Sequence, residues 1–455
     1  MKLILVRPNY DSHLITPPLG IGYLAAYLKN NGVEVIIIDG LRDCLSNQSI
    51  VKKILFHNPD AVGISCLSAF YWECIELSRM LKLKKLKVII GGVHPTFLPE
   101  KTLIDSSCDY VILGEGERAL LDLCRNDFCN NGIRGVYSLA DFRTDNFVAL
   151  KAEGINNLDE IPFPDWEQIA PCLYPKAPHG AIAKNFPIGV ITTTRGCPYS
   201  CTFCASPKFY ERKIRFRSPK NVVDEIILLT TRYGVKEIHF EDDNLTLKKS
   251  HIEDICELLI QHKIKISWAC PNGIRADKID TDLIALMKKC GCYYFSYGIE
   301  SADQGILDKS KKHVTIEAIE KSINMAANAG ISCQGFFIFG LPGENQQTIE
   351  KTINFAKRSR LARAQFIILD VLVGSELWET LKGEFTPNWS KKSYKEPEYI
   401  PAGITKEILM KSQSKAFFEF YLKSPRRLFK LGCSVRPSQI KYLIQRIADY
   451  RILKG

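Results

Sequence analysis

Short runs of β-branched and aliphatic residues recur through the first 140 positions, at Leu3 to Arg7, Val33 to Asp39, Ala61 to Ser65, Lys87 to Gly91 and Tyr110 to Leu113, with helical patterns between them. This alternation predicts parallel strands joined by helices. Polar and apolar positions do not alternate within the runs, so the strands are expected to be buried on both faces. An open doubly wound sheet with ligands at its carboxyl edge has that property. From 141 to 184 the periodicity fades, and Pro162, Pro164, Pro175 and Pro178 predict an extended linker. A second series has strand candidates at Gly189 to Thr193, Glu237 to Phe240, Lys265 to Ala269, Tyr293 to Ile299, Gly335 to Phe339 and Gln365 to Leu372. Six strands interleaved with helices over 185–375 predict a partial or full β/α barrel with its site at the strand C-termini. Residues 376–455 turn helical, and Leu409 to Lys423 and Ile440 to Leu453 read as amphipathic helices of a third unit. The expected fold class is therefore α/β: a doubly wound parallel-sheet domain over 1–140, a linker, a β/α barrel and a C-terminal helical region.

Composition narrows the class. Hydrophobic residues make up 46% and charged residues 24% of the 455, with a mean hydropathy of -0.07, the balance of a soluble globular chain. No run approaches the ~18 apolar residues of a membrane span, and Met1 to Val6 is short for a secretory signal, so a cytoplasmic protein is expected. The 16 cysteines are scattered through apolar stretches, which fits free thiols in a reducing compartment. The net charge is +11, and +8 of it lies between Glu376 and Gly455. That local excess reads first as a solvated helical face and second as a surface for an anionic partner.

The most specific signal is Cys197-Pro198-Tyr199-Ser200-Cys201-Thr202-Phe203-Cys204, directly after the first strand of the second series. Three thiolates on one loop can hold three irons of a 4Fe-4S cluster, whereas clusters that only carry electrons generally take four cysteines. Three therefore leave one iron open. A zinc site and chance spacing are the alternatives, and no fourth Cys or His stands nearby to complete a zinc shell.

The motif resembles that of the radical S-adenosylmethionine (SAM) superfamily, in which SAM chelates the fourth iron and is cleaved to a 5'-deoxyadenosyl radical. The resemblance implies cluster ligation by Cys197, Cys201 and Cys204 and places Phe203 beside the adenine. Phe240-Glu241-Asp242-Asp243-Asn244 ends a strand where family members set polar groups near the SAM amino group, which makes Glu241 and Asp242 candidates. Tyr297-Gly298-Ile299-Glu300-Ser301 looks like the segment whose Glu, here Glu300, contacts SAM. Gly335 to Gly340, followed by Leu341-Pro342-Gly343-Glu344, is similar to the glycine motif that lets backbone approach adenine. Arg275 is a candidate carboxylate partner by charge.

In the first domain no G-x-G-x-x-G follows the first strand, so a dinucleotide fingerprint is missing. Small residues instead end two adjacent strands, in Gly63-Ile64-Ser65-Cys66-Leu67 and Gly91-Gly92-Val93-His94-Pro95-Thr96. They leave a slot for a flat or long group. These segments resemble the Ser-x-Leu and Gly-Gly motifs of cobalamin-binding domains, marking Ser65, Leu67, Gly91 and Gly92. Gly114-Glu115-Gly116-Glu117, with Glu115, and Pro17-Pro18-Leu19-Gly20 match segments of cobalamin-binding radical SAM proteins, to which the whole chain is similar. Carriers with a lower-face histidine read Asp-x-His-x-x-Gly; here Asp11-Ser12-His13 is followed by Thr16 in place of the glycine. His13 is thus either a cobalt ligand or a loop residue. Tyr10, Phe70, Tyr71 and Trp72 line the cobalt's lower face or belong to the core.

The resemblance implies a 4Fe-4S cluster, SAM and cobalamin as cofactors, and methylation of an unactivated carbon in a small-molecule or natural-product substrate. It also implies an external electron donor of the flavodoxin or ferredoxin type, with no nucleic acid and no transmembrane segment. Oxidative cyclisation or rearrangement, as in tetrapyrrole cyclases, is the enzymatic alternative. A cobalamin- or redox-responsive sensor and an RNA-modifying role remain as rivals of other classes.

Overall fold

The computed structural model describes residues 1–12, 14–176, 183–387, 389, 397–434, 437, 440 and 444. The chain forms two compact units. The first comprises Met1–Tyr174 with Lys208–Glu211 and Asn388–Lys392, of which Trp389 is described; the second comprises Pro175–Pro207, Arg212–Pro387 and the chain after Lys392.

The first unit holds strands β1 (Lys2–Arg7), β2 (Glu34–Asp39), β3 (Ala61–Ser65), β4 (Lys87–Gly91), β5 (Tyr110–Ile112) and β6 (Val136–Tyr137) in the order β2-β1-β3-β4-β5-β6. All pairings are parallel except β5 with β6. The uninterrupted apolar runs are explained by burial: Ile4, Val6, Val62, Ile64, Val88 and Ile90 share one core with the helices Asn47–His57, Tyr71–Leu83 and Pro99–Ser106. Strand order reverses between β1 and β3, the switch point at which doubly wound sheets open a crevice.

The segment expected to be a linker from 141 packs onto this unit as far as Tyr174. Ile155, Leu158 and Ile161 are buried with Tyr23. Gln168 closes the free edge of β2, its Oε1 accepting from Ile37 N–H (2.8 Å) and its Nε2 donating to the Val35 carbonyl (3.0 Å). One side-chain amide thus satisfies a strand edge that would otherwise be open for pairing.

In the second unit β7 (Ile188–Ile191) precedes a short antiparallel ribbon, β8 (Thr194–Arg195) with β9 (Arg215–Phe216). Strands β10 (Glu237–Phe240), β11 (Ser267–Ile274), β12 (Cys292–Glu300), β13 (Ser332–Phe339) and β14 (Arg363–Ile368) follow, and the sheet runs β14-β13-β12-β11-β10-β7, parallel throughout. Six parallel strands with two free edges make a partial β/α barrel. Its helices start at side-chain caps, among them Ser218, Asp280, Asp303, Thr315 and Asn345, each accepting a first-turn N–H.

The described C-terminal helices group with the second unit. Lys406–Phe417 continues through a π-turn to Leu422 and covers the β14 edge. Phe420 is fully buried against Phe366, while the Tyr421 hydroxyl accepts from Ala364 N–H and donates to its carbonyl at 2.9 Å each. The helix expected over Ile440 to Leu453 lies outside the described residues apart from Ile440 and Ile444. No helix among the described residues is long and apolar enough to cross a membrane.

Candidate active site

The cysteine loop leaves the end of β7 and is fixed at both its root and its middle. At the root, Asp242 Oδ1 accepts from the N–H and hydroxyl of Thr193 (2.9 Å each) and of Thr194 (2.7 and 2.6 Å). Complete burial outweighs these four donors and pushes the Asp242 carboxyl up to about 6; its Oδ2 has no hydrogen-bond partner among the described residues. Between the cysteines, Thr202 donates its N–H to the Ser310 carbonyl (3.0 Å) and accepts from Leu377 N–H (2.9 Å). Such tethers set the direction of the flanking thiols without using them.

Cys197, Cys201 and Cys204 are partly exposed, whereas Cys256, Cys270, Cys290, Cys292 and Cys333 of the same unit are buried. Burial raises all three loop thiols, Cys204 to about 12, while Lys312 and Arg275 pull Cys201 the other way. Thiols held protonated in this way become ligands by releasing their protons to a metal. Among the described residues no three His, Cys, Asp or Glu side chains converge as ligands to a single ion. One thiolate per iron does not ask them to.

Beside the loop, Glu300 ends β12 in the left-handed region (φ +65°), where the register with β13 slips. Its Oε1 lies 2.8 Å from Lys312 Nζ, with both side chains nearly buried. Burial works against the lysine's charge, but Glu300 chiefly offsets it, by charge and by hydrogen bond, and holds the ammonium above the usual lysine range. Gly298 makes room for the pair: a Cβ there would lie 2.6 Å from Glu300 Oε1 and 2.9 Å from Lys312 Nζ.

Arg275 stacks 3.8 Å from the Tyr199 ring centre and donates to Asp277 (2.9 and 3.3 Å) and to the carbonyls of Lys312 and His313 (2.8 Å each). Four of a guanidinium's five donors are thereby committed within the chain. Its geometry is that of a clamp between the cysteine loop and the segment carrying Lys312. Phe203 packs on the cluster containing Ile306, Ile338, Leu341 and Val371, beyond the strand ends. Gly340 (φ +93°) and Leu341 donate their N–H groups to Glu344 Oε2 at 2.6 and 3.2 Å. Burial pushes Glu344 up to about 7, and its Oε1 has no partner among the described residues. Glu241 directly follows β10, its carbonyl accepting from Asn272 Nδ2 at 3.1 Å.

In the first unit Ser65 and Gly91 are paired at the ends of β3 and β4. A Cβ on Gly91 would make only ordinary van der Waals contact, 3.9 Å from Ile112. Gly92 (φ +114°) differs, because a Cβ there would lie 2.5 Å from the Cys66 carbonyl. Thr96 joins these ends to β5, its hydroxyl donating to the Gly92 carbonyl (2.7 Å) and accepting from Gly114 N–H (2.9 Å). Leu67 is exposed and Glu115 half-buried at the same edge. Phe70 and Tyr71 belong to the core, Tyr10 stacks on Phe70, and Trp72 is exposed under Arg79. His13 lies outside the described residues.

Residues 191–356 match the Radical SAM superfamily and residues 10–123 the B12 binding domain. An uncharacterized methyltransferase of Pyrococcus horikoshii is 32% identical over 444 residues, which is 94% of this chain and 94% of that one. The chain is a cobalamin-binding radical SAM enzyme. Its cofactors are a 4Fe-4S cluster, SAM and cobalamin. An anaerobic magnesium-protoporphyrin IX monomethyl ester cyclase of Rubrivivax gelatinosus is 29% identical over 469 residues, 95% of this chain and 81% of that one. The cobalamin-dependent S-adenosylmethionine radical enzyme OxsB, solved with aqua-cobalamin and SAM, shares the fold with a TM-score of 0.74 at 18% identity, covering 100% of this chain and 72% of its own.

The residues of this radical SAM enzyme fit those groups. Three partly exposed thiols on one tethered loop suit a cluster. The Glu300 carboxylate, in the room left by Gly298, suits an ammonium, and the small residues Gly91 and Gly92 at adjacent strand ends suit a long group passing beside the sheet. Lys312, Tyr199 and Thr96 were not anticipated from the sequence.

Proposed function

We propose that this enzyme transfers a methyl group to an unactivated carbon of a small-molecule or natural-product substrate, in the cytoplasm, with electrons from a flavodoxin- or ferredoxin-type donor. The similarity to a methyltransferase along 94% of both chains supports methyl transfer over cyclisation, since the cyclase relative extends beyond the aligned region. The observation carrying the site assignment is the Glu300–Lys312 pair, buried beside the cysteine loop in a space that Gly298 keeps clear.

When bound, the cluster and cobalamin supply an electron for SAM cleavage and a transferable methyl group, chemistry no side chain can provide. Cys197, Cys201 and Cys204, the three partly exposed thiols of the tethered loop, would hold the cluster. Glu300 offers its carboxylate to the SAM ammonium, and Lys312, 2.8 Å from it, orients that carboxylate before SAM arrives. Arg275 acts at one remove, fixing Lys312 through two carbonyls and the loop through Tyr199. The turn at Gly340, closed by Glu344, presents backbone to the adenine, with Phe203 as its apolar neighbour. Asp242, with Oδ1 committed to Thr193 and Thr194, positions the loop, and Glu241 lines the strand end beside it. In the first unit Ser65, Leu67, Gly91, Gly92 and Glu115 border the cobalamin slot.

The deciding experiment is an anaerobic reaction of the reconstituted protein with SAM, cobalamin and a strong reductant. 5'-Deoxyadenosine, S-adenosylhomocysteine and the cobalamin spectrum are followed together. Formation of both nucleoside products with methylcobalamin is expected. Deoxyadenosine without S-adenosylhomocysteine would refute methyl transfer in favour of cyclisation, and neither product from well-loaded protein would refute the enzymatic reading.

A further inference from the structure

In the first unit the helix Glu117–Arg125, the loop after it and the chain at Glu153 enclose a cavity of about 390 Å³. It belongs to neither site described above, since the cysteine loop is in the second unit and the cobalamin slot is bordered by the ends of β3 and β4. Arg118, Arg125 and Arg134 line it together with Asp122, Asn131 and Glu153. On the helix, Arg118 and Asp122 stand four residues apart and Asp122 and Arg125 three, spacings at which opposite charges ordinarily pair. Yet none of the three guanidiniums pairs with a carboxylate among the described residues. Arg125 donates instead to Asn31 Oδ1 (3.1 Å) and Arg134 to the Lys151 carbonyl (3.0 Å). Each spends one donor on its own placement and keeps the rest of its fork.

The walls are fixed without a ligand. Asn130 spans the loop, its Oδ1 accepting from Ile133 N–H (2.9 Å) and its Nδ2 donating to the Val136 carbonyl (2.8 Å). Gly135 (φ +87°) is so near Ala152 that a Cβ there would lie 2.5 Å from its Cα, which holds the segment of Arg134 against that of Glu153. The donor set then limits the occupant. Three guanidiniums in one cavity repel one another and call for more negative charge than one carboxylate brings; a phosphate carries ~2 charges and three acceptor oxygens and takes more than one fork. The two carboxylates would repel that phosphate unless each faces a donor, and hydroxyl groups are the neutral donors that accompany phosphate in nucleotides and sugars. The volume falls within the ~300–1,000 Å³ of small-molecule sites.

We propose that this cavity binds a phosphorylated, hydroxyl-bearing small molecule, with Arg118, Arg125 and Arg134 on the phosphate and Asp122 and Glu153 on the hydroxyls. This does not depend on which reaction the enzyme performs. The test is anaerobic calorimetric titration of the full chain, loaded with cluster and cobalamin and saturated with SAM, using ATP, AMP, glucose 6-phosphate, pyrophosphate and adenosine. Saturable binding of a phosphorylated probe at one site is expected, about ten-fold or more tighter than adenosine; the order of the nucleotides and the sugar phosphate tells which of them the site prefers. Affinity should fall about ten-fold in Arg118→Gln and in Arg134→Gln. Glu153→Gln should weaken the sugar-bearing probes several-fold while pyrophosphate binds as before or tighter. All three side chains are exposed, so the thermal midpoint of the unliganded variants should not change. The proposal is overturned if no phosphorylated probe saturates, if adenosine binds as tightly as AMP, or if both arginine variants keep wild-type affinity. Binding seen only before cobalamin is loaded would also overturn it, because the cavity would then belong to the cobalamin slot.

Discussion

Replacing Gly298 by Ala tests the site at its tightest point. The new methyl would lie 2.6 Å from Glu300 Oε1 and 2.9 Å from Lys312 Nζ, against ordinary contacts of about 3.5 Å. The strand cannot give way, because Tyr297 and Gly298 are laddered to Gly335 and Phe336 in β13 and Tyr297 to Ile274 in β11. The carboxylate must therefore retreat by roughly 1 Å from a 2.8 Å charge-assisted bond. Such a bond is worth about 1.5–3 kcal/mol, so if Glu300 receives the SAM ammonium, affinity for SAM should fall about ten- to a hundredfold. The cluster should be untouched, since Asp242, Ser310 and Leu377 hold the cysteine loop independently of the pair. Anaerobic equilibrium dialysis with SAM, run beside iron and sulfide analysis, separates the two effects. Unchanged SAM affinity at full iron content would refute the role given to Glu300. Iron lost in proportion to SAM affinity would show that the pair supports the loop instead.

Substituting Ala for Cys197, Cys201 or Cys204 should abolish the cluster's visible absorbance and SAM cleavage while leaving the thermal midpoint nearly unchanged, because these thiols are partly exposed. The two glycines of the slot should separate. Gly91→Leu is expected to fold and lose bound cobalamin, measured by its absorbance after release, whereas Gly92→Ala should unfold earlier because its methyl would meet the Cys66 carbonyl at 2.5 Å in a left-handed backbone. Glu344, raised from about 4.5 to about 7 by burial, binds its proton more tightly folded than unfolded. Its stabilising effect is present below the ordinary carboxylate range and lost as pH rises through about 7, roughly 3 kcal/mol in all. Glu344→Gln should flatten that slope in unfolding midpoints measured between about pH 5 and 8.

Much of this architecture was readable because burial on two faces leaves a mark in every strand. The run Leu3 to Arg7 and its successors lack alternation for the reason the structure shows, helices packed over Ile4, Val6, Val62 and Val88. The cysteine spacing was equally legible, since three thiols on one loop have few other uses. Lys312 was not. It sits in Lys309-Ser310-Lys311-Lys312, which reads as a solvated cationic run, and only the fold shows that Lys311 reaches half-buried Glu376 while Lys312 turns inward to Glu300. Arg275 was read for its charge, but a neighbour two residues on, Asp277, takes the guanidinium first. The amphipathic pattern at Leu409 to Lys423 suggested a separate unit because a helix shows the same stripe whether its partner is another helix or a strand edge. Gln168 and Tyr421 make the same point from the polar side. Each satisfies the backbone of an edge strand, and neither residue type announces that task in sequence. Periodicity reports that a face is covered, whereas the identity of what covers it depends on contacts between distant segments. For that reason local motifs can name candidate site residues, whereas partners supplied across the sheet, Lys312 above all, become visible only in the fold.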